Sequence, residues 1–311
     1  MRPSLRTTPR FATATATAGR AALTLALLIA PLATLAAQRT VDLRRAATRT
    51  PSVRIVGAFA QLTIRGWDKD SIVLTGTVPE GAKFDGGFGG SFGRPAAGAK
   101  FYLENPSGEA AGKLELRVPV GARVWAKSGS ADIDASGITG GLDLNIVGGS
   151  VHVSGNPHEL NVESMDGRVA VDGSPSWLRA KTATGDIVVS GGSEDAGLTT
   201  VSGTIRVAGG RYERARIESI TGAVVFGGDL APGASVDMNT HSGAIELRLA
   251  RKANADYDVA TVAGTIENRV TNRPAVPGRE GRGQEIGFST GNGGSRIYVR
   301  SFKGHIQLLA R

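Results

Sequence analysis

The chain has 311 residues, no cysteine, 36 Lys or Arg against 28 Asp or Glu, and 44 glycines. The lack of cysteine excludes disulfides, thiolate metal sites, a cysteine nucleophile and a lipidated cysteine at a processing site. The formal charge of +8 is uneven: residues 1–37 hold four arginines and no acid, which leaves +4 on residues 38–311.

At the N-terminus, those four arginines precede an apolar stretch from Ala21 to Leu35, then Ala36, Ala37 and Gln38. This order predicts a secretory signal peptide over 1–37, cleaved after Ala36 or Ala37, and hence an exported protein in the periplasm or at the cell surface. The stretch is shorter than the ~20 residues of a membrane span and is interrupted by Pro31. No later apolar run approaches that length, so no membrane span is expected after cleavage.

Residues 38–121 read as a small β cap. Val53-Arg54-Ile55, Gln61-Leu62-Thr63-Ile64 and Ile72-Val73-Leu74 are short strands, with a charged turn at Gly66-Trp67-Asp68-Lys69-Asp70. The glycine-rich stretch 85–98 reads as a mobile loop. Leu114-Glu115-Leu116-Arg117-Val118 then leads through Pro119-Val120-Gly121 into a repeat region over 122–311.

That region carries the strongest signal in the chain. Gly149, Gly167, Gly185 and Gly203 recur every 18 residues, and the beat loosens through Gly222, Gly243 and Gly264; an earlier copy has Ala131 in the glycine place. Seven and five residues before the glycine the columns are apolar, as in Leu142, Leu160 and Leu178, or Leu144, Val162 and Ala180. Two and four after it they are apolar again, as in Val151, Val169 and Ile187, or Val153, Val171 and Val189. Both halves alternate with period two, so each is a short half-buried strand, and the glycine marks a corner. Two short strands and two corners per repeat predict an all-β, single-stranded β-solenoid, taken as right-handed, of eight to ten coils. Three before the glycine stand Ser164, Thr182, Thr200, Ser219, Thr240 and Thr261, an inward hydroxyl column suited to satisfying corner backbone groups. The Pro/Gly/Arg-rich stretch 271–283 reads as an excursion, and Ile297-Tyr298-Val299 with His305-Ile306-Gln307-Leu308 as last coils or a cap.

Several of these segments carry a resemblance. Gly66-Trp67-Asp68-Lys69-Asp70 followed by Ile72-Val73-Leu74-Thr75-Gly76 is similar to the opening motif of the bacterial exported "putative adhesin" family. Leu116-Arg117-Val118-Pro119-Val120-Gly121-Ala122 resembles the segment by which that family enters its repeats. Thr182 to Val189, echoed by Ser202-Gly203-Thr204-Ile205, resembles its repeat unit. The likeness covers about residues 53–308 and implies a β-helix in the envelope or outside the cell, with adhesion as a label and no catalytic residues to carry over.

Chemistry is weakly marked. Asp132 and Asp134 share one side of a strand, but no acid recurs from coil to coil as paired-carboxylate or calcium chemistry on a solenoid would need. His152, His158, His241 and His305 show no metal-ligand spacing, with His241 expected to pack at a corner, and no cofactor is expected. An exposed Trp177 suits stacking on a sugar ring, and Arg211, Tyr212, Arg214 and Arg216 form a basic-aromatic corner suited to an anionic glycan. The expected role is a non-catalytic envelope or cell-surface binding module. Its partner would be an anionic envelope polymer, a glycan or an envelope protein, and not nucleic acid, since residues 269–311 hold eight Lys or Arg against Glu280 and Glu285 on an exported chain. The rival readings are a polysaccharide-active enzyme on the same fold and an envelope-stress or assembly component that binds a protein.

Overall fold

The computed structural model describes residues 38–91, 93–108, 112–278 and 281–311. The signal peptide expected over 1–37 lies outside the described residues. The strands of the N-terminal part are β1 (Gln38–Gly57), β2 (Phe59–Trp67), β3 (Ser71–Pro79), β4 (Lys83–Gly89), β5 (Ala96–Glu104) and β6 (Gly112–Pro119). They are followed by β7 (Arg123–Ser136), β8 (Gly141–Ser154), β9 (Glu159–Ser164), β10 (Arg168–Asp172), β11 (Trp177–Thr182), β12 (Ile187–Ser190) and β13 (Ser193–Thr200). The remainder are β14 (Ile205–Ser219), β15 (Val224–Thr240), β16 (Ile245–Leu249), β17 (Ala255–Thr261), β18 (Ile266–Asn268), β19 (Val276–Pro277), β20 (Gln284–Thr290), β21 (Ser295–Ser301) and β22 (Ile306–Ala310). The fold is all-β, with no α-helix among the described residues. None of them forms a helix long and apolar enough to cross a membrane.

In the middle of the chain the pairing follows the sequence beat. β8, β9, β11, β13 and β14 pair in parallel in that order, and β14 returns through β12 and β10 to β8. Seven strands thus close a parallel circuit, and the others lie outside it. Leu142, Leu160 and Leu178 stand opposite one another, as do Val151, Val169 and Ile187. β8 serves both halves of the circuit because its first part (141–146) pairs with β9 and its last part (150–154) with β10.

Alternation is the cause of the burial. Along β9 to β12 every second residue is buried, and Leu160, Val162, Val169, Val171, Leu178 and Ile187 are completely enclosed. Each such aliphatic side chain contributes roughly 1.5–3 kcal/mol by leaving water. The hydroxyl column is inward as expected, and every member but Ser219 bonds as the corner requires. The Oγ atoms of Ser164 and Thr200 accept from the amides of Gly167 and Gly203 at 2.8 and 3.1 Å. Thr182 Oγ1 donates to the Gly185 carbonyl at 2.6 Å and lies 3.0 Å from Thr200 Oγ1. Past this column the chain turns outward, so Val147, Met165, Val201, Ile220, Phe302 and Val262 form an exposed apolar row along the corner.

The repeat glycines are required by close approach. A Cβ on Gly203 would stand 2.1 Å from the Gly185 carbonyl oxygen, and one on Gly185 the same distance from the Gly167 oxygen. Backbone stacks on backbone here, which leaves no room for a side chain.

Neither end follows sequence order. β21 and β22 do not close the stack as a last coil: β21 pairs in parallel with both β15 and β17, and β22 with both β16 and β18. The chain's final segment is therefore inserted one rung inside the end. At the other end β1 pairs with both β5 and β7, and β2 with both β6 and β7, so the first segment is also one rung in. Antiparallel strands then cover the outer rungs: β4 on β5, β3 on β6 and β20 on β17. The stretch 85–98 differs from the expected loop, because residues 85–89 belong to β4 and pair with β5, where Phe84 and Phe88 pack on Phe101. The excursion 271–283 contains β19, which pairs with β20.

Candidate functional site

The first half of the circuit extends on both sides into a long ladder whose outward residues form parallel rows. One row runs Arg123, Gly141, Glu159, Trp177, Asp195, Arg214. The next runs Arg54, Trp125, Asp143, Asn161, Arg179, Gly197, Arg216, Asp237, Tyr298. Three aromatic rings therefore share one face, and each is covered by a guanidinium. Arg54 lies 4.4 Å from the ring centre of Trp125, Arg179 4.2 Å from that of Trp177, and Arg300 3.7 Å from that of Tyr298. Acids hold two of these arginines in place: Arg179 bonds Asp195 at 2.9 Å and Arg300 bonds Asp258 at 2.9 Å.

Trp177 is 39 % exposed and borders two depressions in this face. One, of about 380 Å³, lies between Trp177 and Trp125 and includes Arg123, Gly141, Asp143, Glu159 and Asn161. The other, of about 470 Å³, includes His158, Glu194, Asp195 and Arg214. Within the first, Asp143 Oδ1 accepts from the amides of Asn145 and Asn161 at 2.6 and 3.2 Å, and Arg123 reaches Glu159 at 3.4 Å.

The sequence-predicted residues are only partly brought together. Trp177 and Arg214 line the same depression, joined through Asp195, which bonds Arg179 and also Arg214 at 3.1 Å. Arg216 is outward on the neighbouring row, 3.3 Å from Glu218. Arg211 is exposed beside Ser174 and Gly192 and lines neither depression at Trp177. Tyr212 is the exception: it is fully buried, packs on Phe226 and donates its hydroxyl to the Gly191 carbonyl. Burial pushes its phenol pKa far up. β14 shifts register against β15 on both sides of Arg211-Tyr212, so the alternation resets and the ring turns inward. With no ring face outside, Tyr212 cannot meet a glycan, and the basic-aromatic corner does not form as a surface.

Trp125, Arg54, Arg179 and Tyr298 were not singled out from the sequence. Their signal was present, because both aromatic columns have outward parity in the repeat.

Elsewhere, Asp134 bonds Arg65 at 2.8 Å and His152 at 3.5 Å, and His152 bonds Asp172 at 2.9 Å. The hydrogen bond to Asp172, with Asp134 beside it, raises the His152 pKa above its usual value. Asp132 accepts from Ser150 at 2.6 Å. His241, expected to pack at a corner, is exposed and stacks flat on Phe302 at 5.1 Å. Among the described residues no three His, Asp or Glu side chains are placed so that they could hold a metal ion together. Trp67 donates its indole N–H to the Ser71 carbonyl and pins the charged turn.

No protein-family model and no curated protein matches the chain. Two solved structures are similar over 88 % of this chain. One is described as a putative cell adhesion protein from Clostridium sporogenes ATCC 15579 (9 % identity, TM-score 0.26, 99 % of that chain covered). The other is described as a putative adhesin from Bacteroides fragilis NCTC 9343 (10 % identity, TM-score 0.43, 98 % of that chain covered). Likenesses of this strength assign no activity to the present chain.

Proposed function

We propose that the chain is a β-solenoid in which each half-circuit rung is one side of a coil, and that it serves as a non-catalytic exported binding module of the envelope or cell surface. The 18-residue register, with Leu160 opposite Leu142 and Val169 opposite Val151, supports the coil reading. The observation that carries the function is the outward ladder with Trp125, Trp177 and Tyr298 on one face, each ring backed by an arginine. Aromatic rings held in fixed orientation on a stiff sheet bind an extended polymer with little loss of side-chain freedom. The spacing of the three rings along the ladder suits an extended chain better than a single small molecule.

The test is a binding screen of the purified protein against peptidoglycan, lipopolysaccharide and acidic and neutral glycans, with new reducing or unsaturated ends assayed in the same wells. Saturable binding without cleavage, weakened when Trp125, Trp177 and Tyr298 are together replaced by alanine, is the expected result. Cleavage of any polymer would replace this reading with an enzymatic one. No binding to any polymer would leave a protein partner as the better reading.

A further inference from the structure

Within the face described above, we propose that the depression between Trp125 and Trp177 is a subsite for an uncharged disaccharide unit; this rests on the binding-module reading and names the ligand class of its site. The two indoles stand on strands three rungs apart, about 14 Å along the ladder at the ordinary parallel-strand spacing of ~4.8 Å, and in neighbouring outward rows. That separation takes a disaccharide with a ring against each indole. Its floor is made by Gly141, which contributes no side chain above the buried Leu142 and Val124. At about 380 Å³ the depression falls at the small end of ligand sites.

The polar groups between the walls are those a polyol needs. Asp143 is fixed by the two asparagine amides, and Asn161 and Glu159 stand beside it on the next rung. Carboxylates and amides in one place accept from and donate to vicinal hydroxyls together. The electrostatics oppose an acidic ligand. Arg123 is matched by Glu159 at 3.4 Å, which leaves Asp143 as the uncompensated charge in the lining. A uronate or phosphate would therefore enter a site of its own sign and lose its hydration without a cationic partner. Of the arginines stacked on the indoles, Arg179 is already bonded to Asp195, and Arg54 covers Trp125 from outside the lining. An anionic polymer, which the composition alone suggested, is thus disfavoured at this point of the face.

Tryptophan emission reads the site directly, since two of the three tryptophans in the chain wall it and the third, Trp67, holds the charged turn. The purified protein is titrated with β-1,4-linked tetrasaccharides of glucose and of N-acetylglucosamine, and with tetragalacturonate, at low and high salt. The expected result is a saturable emission change with a neutral tetrasaccharide, insensitive to salt, and at least tenfold weaker affinity for tetragalacturonate. Trp177→Ala should weaken the neutral ligand at least tenfold and Trp177→Phe should restore most of the loss. Gly141→Leu tests the floor without threatening the fold, because a Cβ there meets only ordinary contacts, 3.5 Å to Arg123 Cγ and 3.8 Å to Glu159. It should abolish the emission change. If the protein binds polymers in the screen above while Gly141→Leu and Trp177→Ala bind them unchanged, the subsite is wrong and the module stands. Tighter, salt-sensitive binding of tetragalacturonate that these two variants lose would also overturn the proposal. No binding of any polymer by the unaltered protein would remove both readings together.

Discussion

The regular middle of the molecule and its two ends obey different rules. Between Gly141 and Val207 each strand lies beside its successor in the repeat, and one glycine per repeat sits under the backbone of the next. At the ends the chain abandons succession. β1–β2 and β21–β22 are each enclosed between two other rungs, and antiparallel strands cover what lies outside them. The middle is stabilised by repetition, whereas the ends protect edges. An open strand edge invites pairing with another chain, and the antiparallel strands cover the edges of the outer rungs.

The largest expected effect tests that enclosure. Removal of residues 295–311 takes away the shared partner of β15 and β17 and of β16 and β18. Hydrogen exchange should then show protection lost throughout β17, β18 and β20 but kept in β9 to β12. Removal of residues 38–46, which pair only with β3, should expose one edge of β3, which stays paired with β6, and disturb little else. Equal loss from the two truncations would mean that the inserted rung has no special role.

A smaller and more local contrast lies in the glycines. Gly203→Ala drives a Cβ to 2.1 Å from the Gly185 oxygen, and overpacking of that kind costs roughly 1–3 kcal/mol or more. Gly89→Ala, at the covered N-terminal end, finds only the Gly98 oxygen at 3.6 Å and should be neutral or slightly stabilising. Denaturant midpoints of the two variants separate the cases.

The hydroxyl column sharpens the comparison within the middle itself. Thr200 accepts from the Gly203 amide and bonds Thr182, both buried, so Thr200→Val should cost about 1–3 kcal/mol. Ser219 Oγ is buried without a partner among the described residues, so Ser219→Ala should cost about zero on the same grounds. A large loss from Ser219→Ala would show that its hydroxyl is bonded in solution.

These contrasts bear on what a sequence discloses. The columns from Leu142 to Ile187 were legible because local alternation and a fixed beat both point to the same faces. The hidden rung was written in the same code: Ile297, Val299, Ser301, Gly304, Ile306 and Leu308 match the repeat column for column. Its distance from Gly243 concealed its neighbour, since nothing in a periodic pattern says that a strand pairs with one some sixty residues earlier rather than with its predecessor. Tyr212 failed for a different reason. Flanking arginines marked it as surface, while a register shift in β14, invisible in residue types, turned it inward. The Trp125–Trp177 face was half legible: Trp177 was picked out, but the row that joins it to Trp125 and Arg179 needed the pairing register.

The smallest predicted effect joins the two regions. His152 in the middle is held by Asp172 of β10 and Asp134 of β7, and Asp134 in turn binds Arg65 of β2, in the enclosed N-terminal rung. The hydrogen bond to Asp172 is the main cause of the raised His152 pKa, with Asp134 adding to it and partial burial opposing. A pKa higher in the folded than in the unfolded chain means that the folded state holds the proton more tightly. The resulting stability is complete below the unfolded value of about 6.5 and fades as pH rises through the folded value. All three side chains are largely exposed, so solvent screening keeps the gain small. Replacing His152 with Asn should therefore lower the denaturant midpoint slightly at pH 5–6 and leave it unchanged well above neutrality. An Asp172→Asn variant should bring the His152 pKa, read by its ring-proton NMR shift, back toward the ordinary value and remove most of the pH dependence. A difference between His152→Asn and the unaltered protein that grows with pH would reverse the sign and disconnect the histidine from its carboxylates.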